Sequence, residues 1–468
     1  MITIYKFYLD RNEELTPTKA GKMIRLFETK VLPNLKFNRG YYDGTGQAIM
    51  RRIQEDATRP NNKIVKNYCA TIVDNFNGYL TGNPITYSAS DVNQNMQELQ
   101  YVLDSNDVVN ADNEFLRNAL IYGIAYELCY INENSETKFK NISPETAFPI
   151  FADDLDGKLL YMVTFSPIAN WDDEFQATRY RVSIYSDFAI DTYEATNDFN
   201  TFALLDSEPH YFDSVPFTIF NLNADNKSIF ERIIGLQDAY NSLLSDEVND
   251  FQSFVDAYMV LKNLTAEPED LERMKQSRTI LIDGDSDVSY LTKDISDTQI
   301  ENMLSNINSS IHTVSNSPDF SSEEFNSGVS SGIALQFKLV GFNNIASNIE
   351  AQMRKALQNR IDLINKVLKL IDTDTCAVNI SFSHNLPTAI ADTVNMVSSL
   401  RGLVSDETLL AQIPFIDDVS AELNRVDAQT EREMSQYRMP NLIEADADEA
   451  EERSVLGKEN PRAARTRL

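Results

Sequence analysis

Apolar residues recur at helical spacing through two long stretches of the chain. The first opens at Ser228 with Glu231 three residues on, a capping box in which each side chain satisfies a free backbone donor. Ile229, Ile233, Leu236, Tyr240, Leu244, Val248, Phe251, Val255, Tyr258 and Met259 carry its stripe. No proline interrupts before Pro268, so at about 1.5 Å per residue this helix reaches roughly 50 Å. The second stretch covers residues 332–371 and is marked by Phe342, Ile345, Ile349, Met353, Leu357, Ile361, Ile364 and Leu368. Between them lie a β-like insertion at 278–291, a short helix at 297–314 and a polar loop at 315–332. Long helices joined by a small excursion predict a protein that spans something rather than one that closes a pocket.

Upstream, a short β-like run precedes a helix beginning near Pro17, a residue suited to the first helical position. Ile64, Tyr68, Ile72, Val73, Phe76 and Leu80 form another helical stripe, which Gly82 and Pro84 end. Two amphipathic helices follow at 93–104 and 111–121. From Gly123 the period changes to two, with strand candidates at 125–132, 159–166, 179–185 and 217–221. Downstream of the second long helix come a short strand at 377–382 and two short helices around a turn within 384–418, the later one capped by Ser405. From about Asp427 the chain is polar without apolar periodicity and reads as a tail disordered at its end. The fold class expected is α+β, mainly α.

Length and charge narrow the function classes. With 468 residues, two to four domains are expected. No run approaches the roughly 18 apolar residues of a membrane span, and no signal peptide is visible at Met1. Cys69, Cys129 and Cys376 read as buried thiols of a reducing compartment. A net charge of -30 argues against the basic patch of a sequence-specific DNA binder. It suits plain solubility, or a surface that repels nucleic acid.

Catalytic chemistry is thinly represented. His210, His312 and His384 have no Cys, Asp or Glu at ligand spacing, and no phosphate-binding loop of the GxxxxGK[ST] type is present. Residues 328–332, GVSSG, match a nucleophile elbow around Ser330 but follow SSEEFN instead of an apolar strand. Residues 283–287, DGDSD, resemble a calcium loop, yet Val288 occupies the position that needs glycine. No cofactor, metal or enzymatic activity is expected, and the inventory points to a structural or assembly protein.

Three blocks carry a resemblance. YYDGTGQAI, RPNNKIVKNY and DNFNGYLTGNPITY, then SGIALQFKLVGFNNIASNIE, then NLPTAIADTVNMVSSLRGLVSDETLLAQIPFIDD are similar to portal proteins of tailed phages of Gram-positive hosts. Their order and spacing fit from about residue 38 to 425. The resemblance implies a portal-type fold: an α+β wing at 1–223, a stem helix at 224–264, a small β-containing clip at 265–294 and a second stem helix at 295–315. It further implies a tunnel loop at 316–331, a long kinked helix with wing return at 332–383, a helical crown at 384–428 and a disordered tail at 429–468.

The same resemblance implies a ring of twelve subunits at one capsid vertex of the virion, assembled in the host cytoplasm. Double-stranded DNA would pass through it without sequence preference. Partners would be a large terminase, a head–tail adaptor, and the major capsid and scaffolding proteins. Asp319, Ser321, Ser322, Glu323, Glu324 and Asn326 are the candidate channel wall, and their acids would repel phosphate. Lys338 is a candidate phosphate contact or a solvated helix face. Phe251, Phe254 and Tyr258 are candidates for contact between subunits, and Ile280, Ile282, Val288 and Tyr290 for docking at the clip. Gly341 costs about 1 kcal/mol in a helix relative to alanine, and both a kink and close packing explain it. The competing readings are another head-assembly component, such as an adaptor, and a serine hydrolase using Ser330.

Overall fold

Proline at the first helical position and the Thr16 hydroxyl, which accepts from the Lys19 amide, start α1 (Pro17–Lys30) directly after β1 (Phe7–Leu9). The computed structural model describes residues 6–54, 59–91, 94–168, 179–255, 258–262, 287–291, 297–320, 322, 337–370, 377–384, 397–410, 413, 416 and 419–438. The chain divides into two units, Met1–Leu386 and Pro387–Leu468. Mixed helices and sheets make it an α+β protein with helix predominating.

In the first unit, α2 (Leu32–Asp43) and α3 (Tyr68–Thr81) follow α1. Asn67 caps α3 by accepting from the Ala70 amide. The stripe of Tyr68, Ile72, Val73, Phe76 and Leu80 is buried as its spacing requires. After β2 (Thr86–Ala89) come α4 (Gln97–Ser105) and α5 (Val108–Tyr122). Gly123 ends α5 at φ +82°, and a Cβ there would lie 2.1 Å from the Asn226 carbonyl oxygen. That close approach fixes where the sheet strands meet the chain entering the long helices.

Eight strands then alternate with short turns: β3 (Ile124–Ile131), β4 (Thr137–Ile142), β5 (Ala147–Ala152), β6 (Leu159–Pro167), β7 (Arg179–Tyr185), β8 (Ala189–Thr196), β9 (Phe202–Pro209) and β10 (Phe217–Asn221). One sheet has the order β1-β5-β6-β7-β8-β9, with β1 parallel to β5 and the other pairs antiparallel. A second, antiparallel sheet has the order β10-β3-β4. The four strands expected from period-two patterning are β3, β6, β7 and β10. Of the others, β5 is buried almost throughout, β8 is half-buried along most of its length and β9 is exposed on both faces, so these lack the alternation, whereas β4 does alternate over its first four residues.

The first long helix differs from expectation at both ends. Residues 231–233 form a 3-10 turn, and α6 spans Ile234–Val255. The capping box does not form: the buried Ser228 hydroxyl has no partner among the described residues, while Glu231 lies 3.7 Å from Lys227. Past Val255 the helix gives way to β11 (Tyr258–Lys262), antiparallel to β12 (Asp287–Leu291). Tyr258 and Met259 therefore belong to a strand. The run Tyr-Met-Val-Leu satisfies both periodicities over so short a span, and pairing with β12 decides it. Strand VSYL meets this run, and the expected partner TILI lies outside the described residues. The helix is thus 22 residues, about 33 Å, shorter than the sequence suggests.

Then follow α7 (Asp297–Ser315) and α8 (Val340–Leu370), the latter 31 residues or about 46 Å. Gly341 is the second residue of α8. A Cβ there would lie 2.7 Å from Asn316 Oδ1, so this glycine serves close packing against the end of α7. After α8, β13 (Val378–Ser381) pairs antiparallel with β2 and returns the chain to its first third.

In the second unit, Ser405 starts α9 (Asp406–Leu410) by accepting from the Thr408 amide, as expected. The chain next forms α10 (Val419–Arg438), which extends into the segment read as tail. Local pairs support it: Arg425 with Glu422 and Gln429 with Glu433, each 3.0 Å apart.

Candidate conduit site

Beside the buried Tyr240, helix α6 buries a row of polar residues and leaves several apolar ones partly open. Gln237, Asn241 and Ser245 are each fully buried, whereas Leu243, Leu244 and Val248 are half-buried and Phe251 is 73% exposed. The buried residues recur every fourth position, one per helical turn. They meet the extended segment before α3. The Tyr68 amide donates to Gln237 Oε1 (2.9 Å), the Lys66 amide to Asn241 Oδ1 (3.0 Å), the Ile64 amide to Ser245 Oγ (3.0 Å) and the Asn62 amide to Asn249 Oδ1 (2.8 Å). Gln237 Nε2 donates back to the Lys66 carbonyl at 2.6 Å.

The match is geometric. Four residues of helix advance about 6 Å, and two residues of extended chain advance about 6.7 Å. Successive amides on one side of the segment therefore meet successive helical turns. The ladder works as a sheet pairing made by side chains, and it fixes α6 to the first unit's core. Arg52 adds an ion pair to Asp246 at 2.6 Å, and Gln47 joins Asn241 to Asn67.

The root of the polar loop is built at the end of α7. His312 Nδ1 lies 2.8 Å from the Ser317 carbonyl, so that nitrogen carries a proton and donates. His312 Nε2 lies 3.7 Å from Asp319 Oδ2, which also accepts from Asn308 at 3.5 Å. The Ser322 amide and hydroxyl both donate to the Asp319 carbonyl. Asn75 of α3 donates to the Ser317 hydroxyl, and Tyr68 meets the His312 ring edge-on at 5.8 Å. Phe320 touches Phe342, which stacks on Phe76 at 4.2 Å. The loop therefore leaves from a fixed point on α3, α7 and α8.

Of the expected channel residues, Asp319 is half-buried in this root and Ser322 caps it, while Lys338 is exposed in the helical turn before α8. Ser321, Glu323, Glu324, Asn326 and Ser330 lie outside the described residues, as do Ile280 and Ile282. Phe251 is on α6, exposed. For Phe254, Tyr258, Val288 and Tyr290 the backbone is described, in α6, β11 and β12, but the side chains are not. Among the described residues no His, Cys, Asp and Glu cluster has metal-site geometry, and no helix is long and apolar enough to cross a membrane.

One cluster escaped sequence reasoning. Arg360 of α8 is fully buried and grips Glu127 of β3 through Nε and Nη2, both at 2.7 Å. Its Nη1 donates to Asp112 of α5 at 2.5 Å, and the guanidinium lies over the Phe139 ring. Burial opposes the charge, but Glu127 and Asp112 outweigh it and hold Arg360 protonated well above its ordinary range. Tyr87 of β2 donates to Asp112 at 2.7 Å, and burial keeps that phenol neutral. Four elements distant in sequence thus meet at one arginine.

The chain is similar to the portal protein of Bacillus phage SPP1, with 24% identity over 427 residues that cover 86% of this chain and 81% of that protein. It is also similar to the portal protein of Clostridium phage phiCD119, with 21% identity over 400 residues covering 80% and 86%. The family model for phage portal proteins of the SPP1 Gp6-like type matches residues 28–436. Spanning nearly the whole described chain, from the end of α1 to the end of α10, that match makes this chain a member of the SPP1 Gp6-like phage portal proteins.

Proposed function

We propose that this virion protein closes into a homo-oligomeric ring, of twelve copies, at one capsid vertex and forms the channel for genome packaging and ejection. The observation that carries the ring is the inverted burial of α6. Its polar ladder is consumed within the subunit, and Leu243, Val248 and the largely exposed Phe251 are left partly open for a neighbour. In this reading α6 and α7 are the stem, and the clip starts at β11, earlier than the 265–294 of the sequence expectation. Residues 1–223 with β13 are the wing, and 384–428 the crown. The clip offers β11 and β12 to the terminase and the head–tail adaptor. The wing and crown meet capsid and scaffolding proteins.

The tunnel loop springs from the root at Asp319 and carries Glu323 and Glu324 toward the DNA. Acids there repel phosphates, so DNA slides without sequence preference and without adhering. The net charge of -30 supports a low-friction wall. Negative-stain microscopy of the purified protein tests the reading. Rings with a central hole are expected, and a field of single particles without a hole contradicts it.

A further inference from the structure

The junction of α1 and α2 faces β1, β3 and β5 across a cavity of about 90 Å³. Its apolar wall includes Phe7, Phe27, Leu35 and Phe148, all buried. Phe148 meets Phe7 at 4.6 Å and stacks on Phe27 at 5.2 Å, so this wall is preformed. A cofactor or nucleotide site needs roughly 300 Å³ or more, so this cavity takes a single apolar side chain, the anchor of a protein contact.

Two polar groups in the wall have no use within the subunit. Tyr126 of β3 and Asn226 are each 5% exposed and both line the cavity. Neither side chain makes a hydrogen bond among the described residues. Burial alone raises the Tyr126 phenol, which stays protonated and able to donate. Buried polar groups are nearly always paired, and these two are left to pair with a ligand.

Charge selects that ligand. The chain carries -30, yet the cavity is bordered by Lys6, Lys30, Asn34 and Asn221 and by no Asp or Glu. Both lysines are exposed, and neither forms an ion pair among the described residues. Cationic and carboxamide donors around an apolar floor suit carboxylates on either side of an apolar side chain.

We propose that this cavity docks an acidic segment of another protein, which inserts one apolar side chain beside Phe7, Phe27 and Phe148 while its carboxylates meet Lys6 and Lys30. The site is complete in one subunit, so it stands or falls apart from the ring. The test titrates the full-length protein with the blocked peptide Asp-Asp-Leu-Asp-Asp and reads saturation transfer to the leucine methyl groups by NMR. Wild type should bind with a dissociation constant of about 1 mM or tighter. An alanine in place of the probe's leucine should weaken binding about tenfold or more, and so should Lys6→Gln/Lys30→Gln. Lys22→Gln, which removes an exposed lysine of α1 outside the cavity lining, should match wild type. The alanine probe reads the unaltered chain, so it decides even if a variant misfolds. An acidic probe that does not bind overturns the proposal. Equal binding of the alanine probe, or of Lys-Lys-Leu-Lys-Lys, overturns it too, as does equal weakening by Lys22→Gln.

Discussion

Arg360 and Glu127 form a two-pronged ion pair, with both N–O distances at 2.7 Å and neither side chain open to solvent. It fastens the long helix α8 to the sheet strand β3 at the centre of the first unit. Removing one partner leaves a buried, uncompensated charge, which costs about 3–5 kcal/mol. Arg360→Leu should therefore lower the free energy of unfolding, measured by urea denaturation, by that much. Arg360→Leu/Glu127→Leu should be less destabilised than the sum of the single variants. Strict additivity of the two would mean the pair is not coupled.

The α6 ladder predicts a smaller, local loss. Asn241→Ala deprives the Lys66 amide of its acceptor and should cost about 1–3 kcal/mol. Hydrogen exchange should then accelerate at Ile64, Lys66 and Tyr68 before it does in the β3 strand. Unchanged exchange at those amides would show that the segment is held by something other than the ladder.

Gly341→Ala discriminates packing from a kink. Alanine favours helix by about 1 kcal/mol, so at an unpacked site it would stabilise. Here its methyl meets Asn316 Oδ1 at 2.7 Å, the Asn316 side chain must swing aside, and that cost is expected to cancel the gain, leaving Gly341→Ala no more stable than wild type. Asn316, at φ +51°, accepts glycine readily, and Asn316→Gly should restore that gain in Gly341→Ala. A thermal melt in which Gly341→Ala is more stable than wild type would contradict the packing account.

Much of this fold was readable from apolar spacing. The buried faces of α3 and α8 and the strands β3, β6, β7 and β10 follow it directly. What the spacing missed depends on partners far away in sequence. Gln237, Asn241 and Ser245 are polar positions between the apolar ones of α6, and nothing local shows that residues 62–68 lie against them. Their four-residue repeat of carboxamide and hydroxyl was the available signal. Arg360, Asp112 and Glu127 sit in three elements, each with an ordinary charged residue until the fold joins them. At β11, tertiary pairing overrode a pattern that fits helix and strand equally.

For the tunnel loop, Glu323→Lys/Glu324→Lys reverses the sign of the expected DNA-facing acids. Lysines there would hold phosphates and release counterions, a salt-sensitive brake. Rings and procapsids should form normally, with shorter packaged DNA that lengthens as ionic strength rises. Equal packaged length at every salt concentration, compared with wild type, would remove these two residues from the channel wall.

The most direct measurement is the native mass of the purified protein beside its Phe251→Asp variant. Wild type should give a closed oligomer near twelve times the 53.1 kDa protomer. Phe251, 73% exposed in the single chain, should lie at the contact between subunits, so aspartate there buries an unpaired charge and shifts the population to smaller species. Wild type that stays a 53.1 kDa protomer at all concentrations would contradict the ring, and a Phe251→Asp ring as stable as wild type would contradict its stem interface.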